Sequence, residues 1–249
     1  MNAAAPVAGL LLTGGRSRRM GRDKATLEHP SGRTWAEQAG AVLARVAAPA
    51  LEVGPGRSGL LAVAETDPDG PLAAVAAGFG HLRSLGSDLP ALVVACDLPG
   101  LTPALLQLIA GWPAPGSVVP VTGGRPQWCC ARYSPACLRE VVRLVAGGRR
   151  DLRALAEADP ELVFADEAAL GLLACQLVDA DTPDELAALG LDHARAERPG
   201  RTAWQPAETA PGAARAAAGY GPGTHIGLPD DLAEVVLDLA RPGLGTLLA

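Results

Sequence analysis

Nothing in this 249-residue chain has the pattern of a membrane anchor, a disulfide framework, a zinc site or a generally cationic surface. The N-terminal stretch "MNAAAPVAGLLLTGG" has no basic residues ahead of its apolar run, and that run stops at Leu12. It is too short for a signal peptide or a membrane span, so a cytoplasmic protein is expected. The cysteines, Cys96, Cys129, Cys130, Cys137 and Cys175, are odd in number and show no C-x-x-C spacing, which predicts reduced core residues. His29, His81, His193 and His225 form no spaced ligand set, which argues against zinc. The formal net charge is −6, so neither nucleic acid nor a membrane surface is expected as a partner. No Ser–His–Asp or Cys–His arrangement for nucleophilic catalysis is evident, and no internal repeat is visible.

What is present is a globular composition, with 49% hydrophobic residues and a mean hydropathy of +0.19. That is enough for one sizeable core plus an appendage. "VAGLLL" (7–12) and "ALVVAC" (91–96) are short continuous apolar runs, as expected of strands buried on both faces of a parallel sheet. Between them, "TWAEQAGAVLARVAA" opens with a Thr34-x-x-Glu37 capping box and places Trp35, Ala39, Val42, Leu43 and Val46 on one helical face. Further strands are predicted at 50–53, 60–65, 117–121, 127–133 and 175–179. Helices are predicted at about 72–85, 103–110, 135–146 and 183–189, with Thr102-Pro103, Ser134-Pro135 and Thr182-Pro183 as caps and first turns. The alternation predicts an α/β protein with a mostly parallel sheet and helices on both faces. Ligands of such a sheet bind beyond the carboxyl ends of its strands.

One of those ends carries "LLTGGRSRRMGRDKATL" (11–27), with Gly14 and Gly15 adjacent and Arg16, Arg18, Arg19, Arg22 and Lys24 close behind. On an acidic chain this positive field is local. The loop is not a Walker A motif, because Gly21 is one residue too far from Gly15 and is followed by Arg22. It is not a G-x-G-x-x-G fingerprint either, since its glycines are adjacent. A strand, a bare Gly-Gly turn that lets a base or phosphate approach closely, and a basic run suited to a polyphosphate together fit a nucleoside triphosphate.

This segment closely resembles the signature L-A-G-G-x-S-x-R-M-G-x-D-K of molybdenum cofactor guanylyltransferases, members of the nucleotidyltransferase superfamily. The resemblance continues through "DPDGPLAAVAAG" (67–78), "VVACDLPGLTPALLQLI" (93–109), "GRPQWCCARYSP" (124–135) and "VDADTPDEL" (178–186), and so spans about residues 7–190. It departs from the family at Thr13, where alanine is usual, and at "QWCC", where many members have Gln-Pro-Leu. A Rossmann-like three-layer nucleotidyltransferase fold is what the resemblance implies.

The implied chemistry moves GMP from MgGTP to the terminal phosphate of molybdopterin, giving molybdopterin guanine dinucleotide and pyrophosphate. Because the second pKa of a phosphate monoester is about 6, that nucleophile is ionised at neutral pH and needs no side-chain base. Charge neutralisation and in-line placement are required instead. The resemblance assigns the phosphates to Lys24, with Arg19, or Arg16 or Arg18, beside the departing pyrophosphate. Asp97 is the implied magnesium ligand, and nucleotide contacts fall at Leu12, Thr13, Gly14, Gly15, Lys24, Asp67 and Asp97. Asp67 competes with Glu65 and Asp69 for the acidic position ahead of Gly70-Pro71-Leu72. Asp23 either contacts metal or phosphate or orients a neighbouring cation. Gly54 lies near a position where the family often has a nucleotide-contacting asparagine.

A cytidylyltransferase of the same superfamily, and a non-catalytic GTP- or pterin-binding protein, are the alternatives. Residues 1–194 are expected to form the catalytic domain. Residues 195–249 read as a Pro/Gly/Ala-rich linker followed by an amphipathic helix at about 229–240, with Leu232, Val235, Val236 and Leu239 on one face. That face is expected to dock on the catalytic domain or on a protein that delivers molybdopterin or accepts the finished cofactor.

Overall fold

The computed structural model describes residues 6–14, 23–64 and 70–178, together with the short strand Thr224–His225. The chain begins with β1 (Ala8–Leu12), crosses over through α1 (Trp35–Ala44) to β2 (Ala50–Val53), and adds β3 (Leu61–Val63). Then α2 (Pro71–Ser84) returns the chain to β4 (Ala91–Ala95), which lies on the other side of β1. After α3 (Pro103–Ala110) come β5 (Val118–Thr122), β6 (Arg125–Pro126), β7 (Cys130–Tyr133), α4 (Pro135–Ala146) and α5 (Ala154–Ala158). β8 (Val163–Ala165), α6 (Glu167–Leu170), a 3-10 helix at Gly171–Leu177 and β9 (Thr224–His225) complete the described chain.

The sheet order is β3-β2-β1-β4-β7-β5-β8-β9, with β6 paired to β5. β3, β2, β1 and β4 are mutually parallel, as are β5, β8 and β9, while β7 runs antiparallel to both β4 and β5. The expected three-layer α/β architecture is therefore present, as a mixed sheet in which β7, and the short β6 beside β5, run against the other strands. Successive residues of β1 and β4 serve opposite faces, as the two-residue period of a strand requires. Leu11, Leu92 and Val94 pack with α1 and α3, and Leu10, Leu12, Ala91 and Val93 pack with α2 and α4. Leu10, Leu11 and Leu92 are completely buried, each burial favouring the fold by about 1.5–3 kcal/mol relative to exposure.

The helix starts follow their sequence signals unequally. Thr34 and Glu37 form the full capping box, and Ser134 accepts from the Cys137 amide. Thr102 makes no side-chain cap, its hydroxyl donating instead to Gln176 Oε1 at 2.7 Å.

The strand predicted at 175–179 is not one. Leu170, Leu173 and Leu177 are the buried residues there, a spacing that suits a helical face, and the segment to Leu177 is 3-10 helix. Cys175 is accordingly exposed, which corrects its expected place in the core, while Cys96, Cys130 and Cys137 are buried and Cys129 half-buried. All five cysteines are free. The run predicted as one strand at 127–133 is strand only from Cys130, because Gln127–Cys129 turn the chain back from β6. β8 was not expected. Its three residues lie between Asp159-Pro160 and Asp166, too short a run to register as a period. The helix predicted at 183–189 and the one at 229–240 lie outside the described residues, and Thr224–His225 of the segment read as a linker pair in parallel with β8. Among the described residues, no helix is long and apolar enough to cross a membrane.

Candidate functional site

The chain reverses its direction of travel across the sheet between β1 and β4, one crossover leading away to β2 and the next returning past β1. A sheet of this kind opens a crevice at the carboxyl ends of those two strands. Leu12 is opposite Ala95, and the Cys96 amide donates to the Leu12 carbonyl at 3.3 Å, so Thr13-Gly14 and Cys96-Asp97 leave the sheet side by side. Gly14 is exposed there.

Lys24 enters this crevice from the 3-10 turn Lys24–Thr26. Its Nζ lies 3.2 Å from Asp97 Oδ2, with the two side chains 11% and 26% exposed. A lysine so far withdrawn from water, beside a carboxylate at a strand end, concentrates paired charge where a phosphate could be received. The turn is held in place at several points. Asp23 caps it by accepting from the Ala25 amide at 3.1 Å and also ion-pairs with Arg57. His29 Nε2 lies 3.1 Å from the Pro99 carbonyl, joining this region to the segment after Asp97.

Sequence reasoning missed the most heavily bonded side chain of this edge. Glu52, in β2, is completely buried. Its Oε1 accepts from the Thr13 hydroxyl at 2.5 Å and from the Gly56 and Arg57 amides at 2.8 Å each. Its Oε2 accepts from the Ser58 amide at 2.7 Å and the Ser58 hydroxyl at 2.6 Å. Burial pushes the carboxyl's pKa up, but the hydrogen bonds from Ser58, Thr13 and the loop amides together outweigh it and hold the group below its ordinary value. The available signal was a glutamate inside "ALEV", a polar residue in a strand otherwise apolar. Thr13, where the resembled family usually has alanine, thus has a use for its hydroxyl. The loop after β2 also presses on the same turn, since a β-carbon on Gly54 would overlap Thr13 Oγ1 and the Gly14 nitrogen. An asparagine side chain at position 54 would have to displace that turn.

α2 begins at the same edge. Gly70 precedes it with φ of +110°, a conformation suited to glycine, and a β-carbon there would lie 2.7 Å from the Arg150 carbonyl oxygen. Gly15, Arg16, Arg18, Arg19, Glu65, Asp67 and Asp69 lie outside the described residues. The structure therefore brings together Leu12, Thr13, Gly14, Lys24 and Asp97 among the expected site residues.

Burial raises the thiols of Cys96 and Cys129, near Asp97, to about 12, which leaves them protonated and poor nucleophiles at neutral pH. No cluster of three or more His, Cys, Asp or Glu side chains suited to a metal occurs among the described residues. A lone carboxylate does not suit zinc, which takes three or four protein ligands. It does suit magnesium, which commonly takes one or two carboxylates and completes its shell with phosphate and water.

The fold is a three-layer α/β sheet with a lysine–aspartate pair beside its switch point, and its class comes from known proteins. Residues 9–163 match the family described as the MobA-like NTP transferase domain, and the chain belongs to that family. It is therefore a nucleotidyltransferase, an enzyme whose relatives act in molybdenum cofactor biosynthesis. A protein of Mycobacterium avium named "Probable molybdenum cofactor guanylyltransferase" is 36% identical over 162 residues, 61% of this chain and 81% of its own. A protein of the same name from Chloroflexus aggregans is 34% identical over 203 residues, covering 72% and 91% of the two chains. Among solved structures, molybdopterin-guanine dinucleotide biosynthesis protein A from Archaeoglobus fulgidus superposes with a TM-score of 0.60 at 18% identity, over 77% of this chain and all of that one. A nucleotidyl transferase from Methanothermobacter gives 0.54 at 21% identity, over 74% and 95%. At those identities the structural likeness carries the fold alone.

Proposed function

We propose that the protein transfers GMP from MgGTP to the terminal phosphate of molybdopterin, forming the guanine dinucleotide cofactor and releasing pyrophosphate. The observation that carries this reading is the Lys24–Asp97 pair beside the Thr13-Gly14 turn at the switch point. The names of the relatives supply the base and the acceptor.

In this reaction an oxygen of the molybdopterin phosphate bonds to the α-phosphorus of GTP, and the bond from that phosphorus to the bridging oxygen of the β-phosphate breaks. The acceptor oxygen is already ionised, so no proton need be abstracted, and a site whose nearby cysteines are protonated and whose partnered side chains are Lys24 and Asp97 is sufficient. Lys24 lies against phosphate oxygens and offsets the charge that grows on the leaving pyrophosphate, assisted by Arg19. Asp97 is the ligand for magnesium, which when bound supplies charge neutralisation on the triphosphate. The exposed backbone of Gly14, with Leu12, Thr13 and Gly15, receives the nucleotide, and Asp67 contacts it from the segment ahead of α2. The catalytic unit is residues 1–194, supported by the family match over 9–163, and it works in the cytoplasm.

The test is to incubate the protein with molybdopterin, Mg²⁺ and GTP, CTP, ATP or UTP in turn, and to weigh the products. A product heavier by one GMP unit, with pyrophosphate, is expected from GTP. The corresponding CMP product instead would make the protein a cytidylyltransferase, and no transfer from any nucleotide would overturn the reading.

A further inference from the structure

We infer that Glu52, which does not itself face the crevice, is the positioning residue that sets the nucleotide turn and the Lys24 cation in register with each other. The inference rests on the nucleotide-binding reading of this edge. Five hydrogen bonds converge on the buried carboxylate, one from Thr13 and four from residues 56–58. The bond from Thr13 fixes the residue that immediately precedes Gly14. The bonds from Gly56, Arg57 and Ser58 fix the loop that carries the Arg57 side chain to Asp23. Asp23 in turn caps the turn from which Lys24 reaches Asp97. One carboxylate thereby links the floor of the crevice to its cation through a continuous set of polar contacts.

The chemistry requires the ionised acid. Both oxygens accept a backbone amide, Oε1 from Gly56 and Arg57 and Oε2 from Ser58. A glutamine in either orientation would point its NH₂ group at a backbone N–H, and those donors cannot reverse their role as a hydroxyl can. The loop would have to move, and with it Arg57 and Thr13. Catalytic groups need placement to within about 0.5 Å, and displacements of about 1 Å cost up to about a hundredfold in rate.

A buried carboxylate on the far side of the molecule provides the control. Asp159 is buried and accepts from the Ser117 amide at 2.9 Å, the Ser134 hydroxyl at 2.9 Å and the Glu161 amide at 3.1 Å. It stands at the opposite, amino edge of the sheet, where Tyr133 pairs with Ala91. Glu52→Gln and Asp159→Asn therefore make the same chemical change in two buried carboxylates that accept backbone amides, at two distances from the crevice.

The experiment measures amide hydrogen exchange on the free full-length proteins and calorimetric binding of MgGTP, with MgCTP and MgATP alongside. Glu52→Gln is expected to speed exchange at 11–14 and 23–27 and to weaken binding of whichever nucleotide the wild type takes by about tenfold or more. Asp159→Asn should lower thermal stability but leave both readouts within about twofold of wild type. If Glu52→Gln fails to fold, Thr13→Val, which removes one donor at constant shape, should shift binding in the same direction by about two- to fivefold. Unchanged exchange at 23–27 and unchanged affinity in the Glu52 variant would overturn the inference, as would an equal loss in the Asp159 variant. Failure of the wild type to bind any nucleoside triphosphate would overturn the proposed function, while the contrast in exchange would still decide whether Glu52 holds the Lys24 turn.

Discussion

The two halves of the sheet bury the same kind of group for different ends. In the parallel half, β3-β2-β1-β4, Glu52 is buried next to the carboxyl edge and its partners belong to the crevice. In the half built around the inverted strand β7, Asp159 ties Ser117 to Ser134 at the amino edge, and Arg132 on β7 donates to the carbonyls of Ala110, Trp112, Ala114 and Gly116. Burial lowers the Arg132 pKa, opposed by the charge of Asp159. These polar groups close loops that have no strand partners of their own, so their work is to satisfy backbone where the sheet stops. The loops closed in this way lead into β5 and β8, and β7 brings its own end, at Ser134, to the same edge. Parallel strands deliver their loops to the ligand edge, and the buried acid there is tied to residues of the site.

The comparison breaks most sharply at Asp97. Asp97→Asn should abolish metal-dependent turnover by several orders of magnitude while the melting temperature stays near that of wild type, because the amide keeps the shape but loses the charge that, on the proposed function, would hold magnesium. Steady-state kinetics with calorimetry decide it, and near-normal turnover would remove Asp97 from the site. Next in size, Lys24→Ala should raise KM for the nucleotide and lower kcat together, by about 10²–10³ in kcat/KM. Loss confined to KM would mean that Lys24 only binds.

On the other side of the comparison, Asp159→Asn should destabilise the fold by about 1–3 kcal/mol by leaving a buried amide donor unsatisfied, with kcat/KM unchanged. Chemical denaturation alongside kinetics measures both. A smaller effect follows from pH. The Glu52 carboxyl is held below its ordinary value of 4.5, so its contribution to stability is complete above that value and is lost as pH falls through the lowered one. Stability curves of wild type and Glu52→Gln should therefore be parallel at neutral pH and converge in acid below about 4.5. Continued parallelism at low pH would show that folding does not lower the pKa of Glu52. The smallest effect is expected at Cys129→Ser and Cys130→Ser, whose thiols burial raises to about 12. Each should retain turnover with a modest loss of stability, as for filled core positions that acquire a hydroxyl. Complete inactivation of a folded variant would contradict it.

The amino-acid sequence by itself determined the elements whose physics is local. Continuous apolar runs made β1 and β4 recognisable, Thr34 and Glu37 marked the start of α1, and the glycine pair followed by basic residues marked the ligand edge. The resemblance of 11–27 and 93–109 to a known family singled out Lys24 and Asp97, which are 73 residues apart in the chain. That the two side chains meet was decided by the tertiary structure, because only the parallel register of Leu12 with Ala95 brings their loops together. The same holds for Glu52. Its neighbours in sequence mark it as a misplaced charge in a strand, and it becomes intelligible only when Thr13 and residues 56–58 fold around it. The direction of β7 and the existence of β8 were likewise decided by pairing, since strand pairing is a contact between distant residues and leaves no period in a run of three or four.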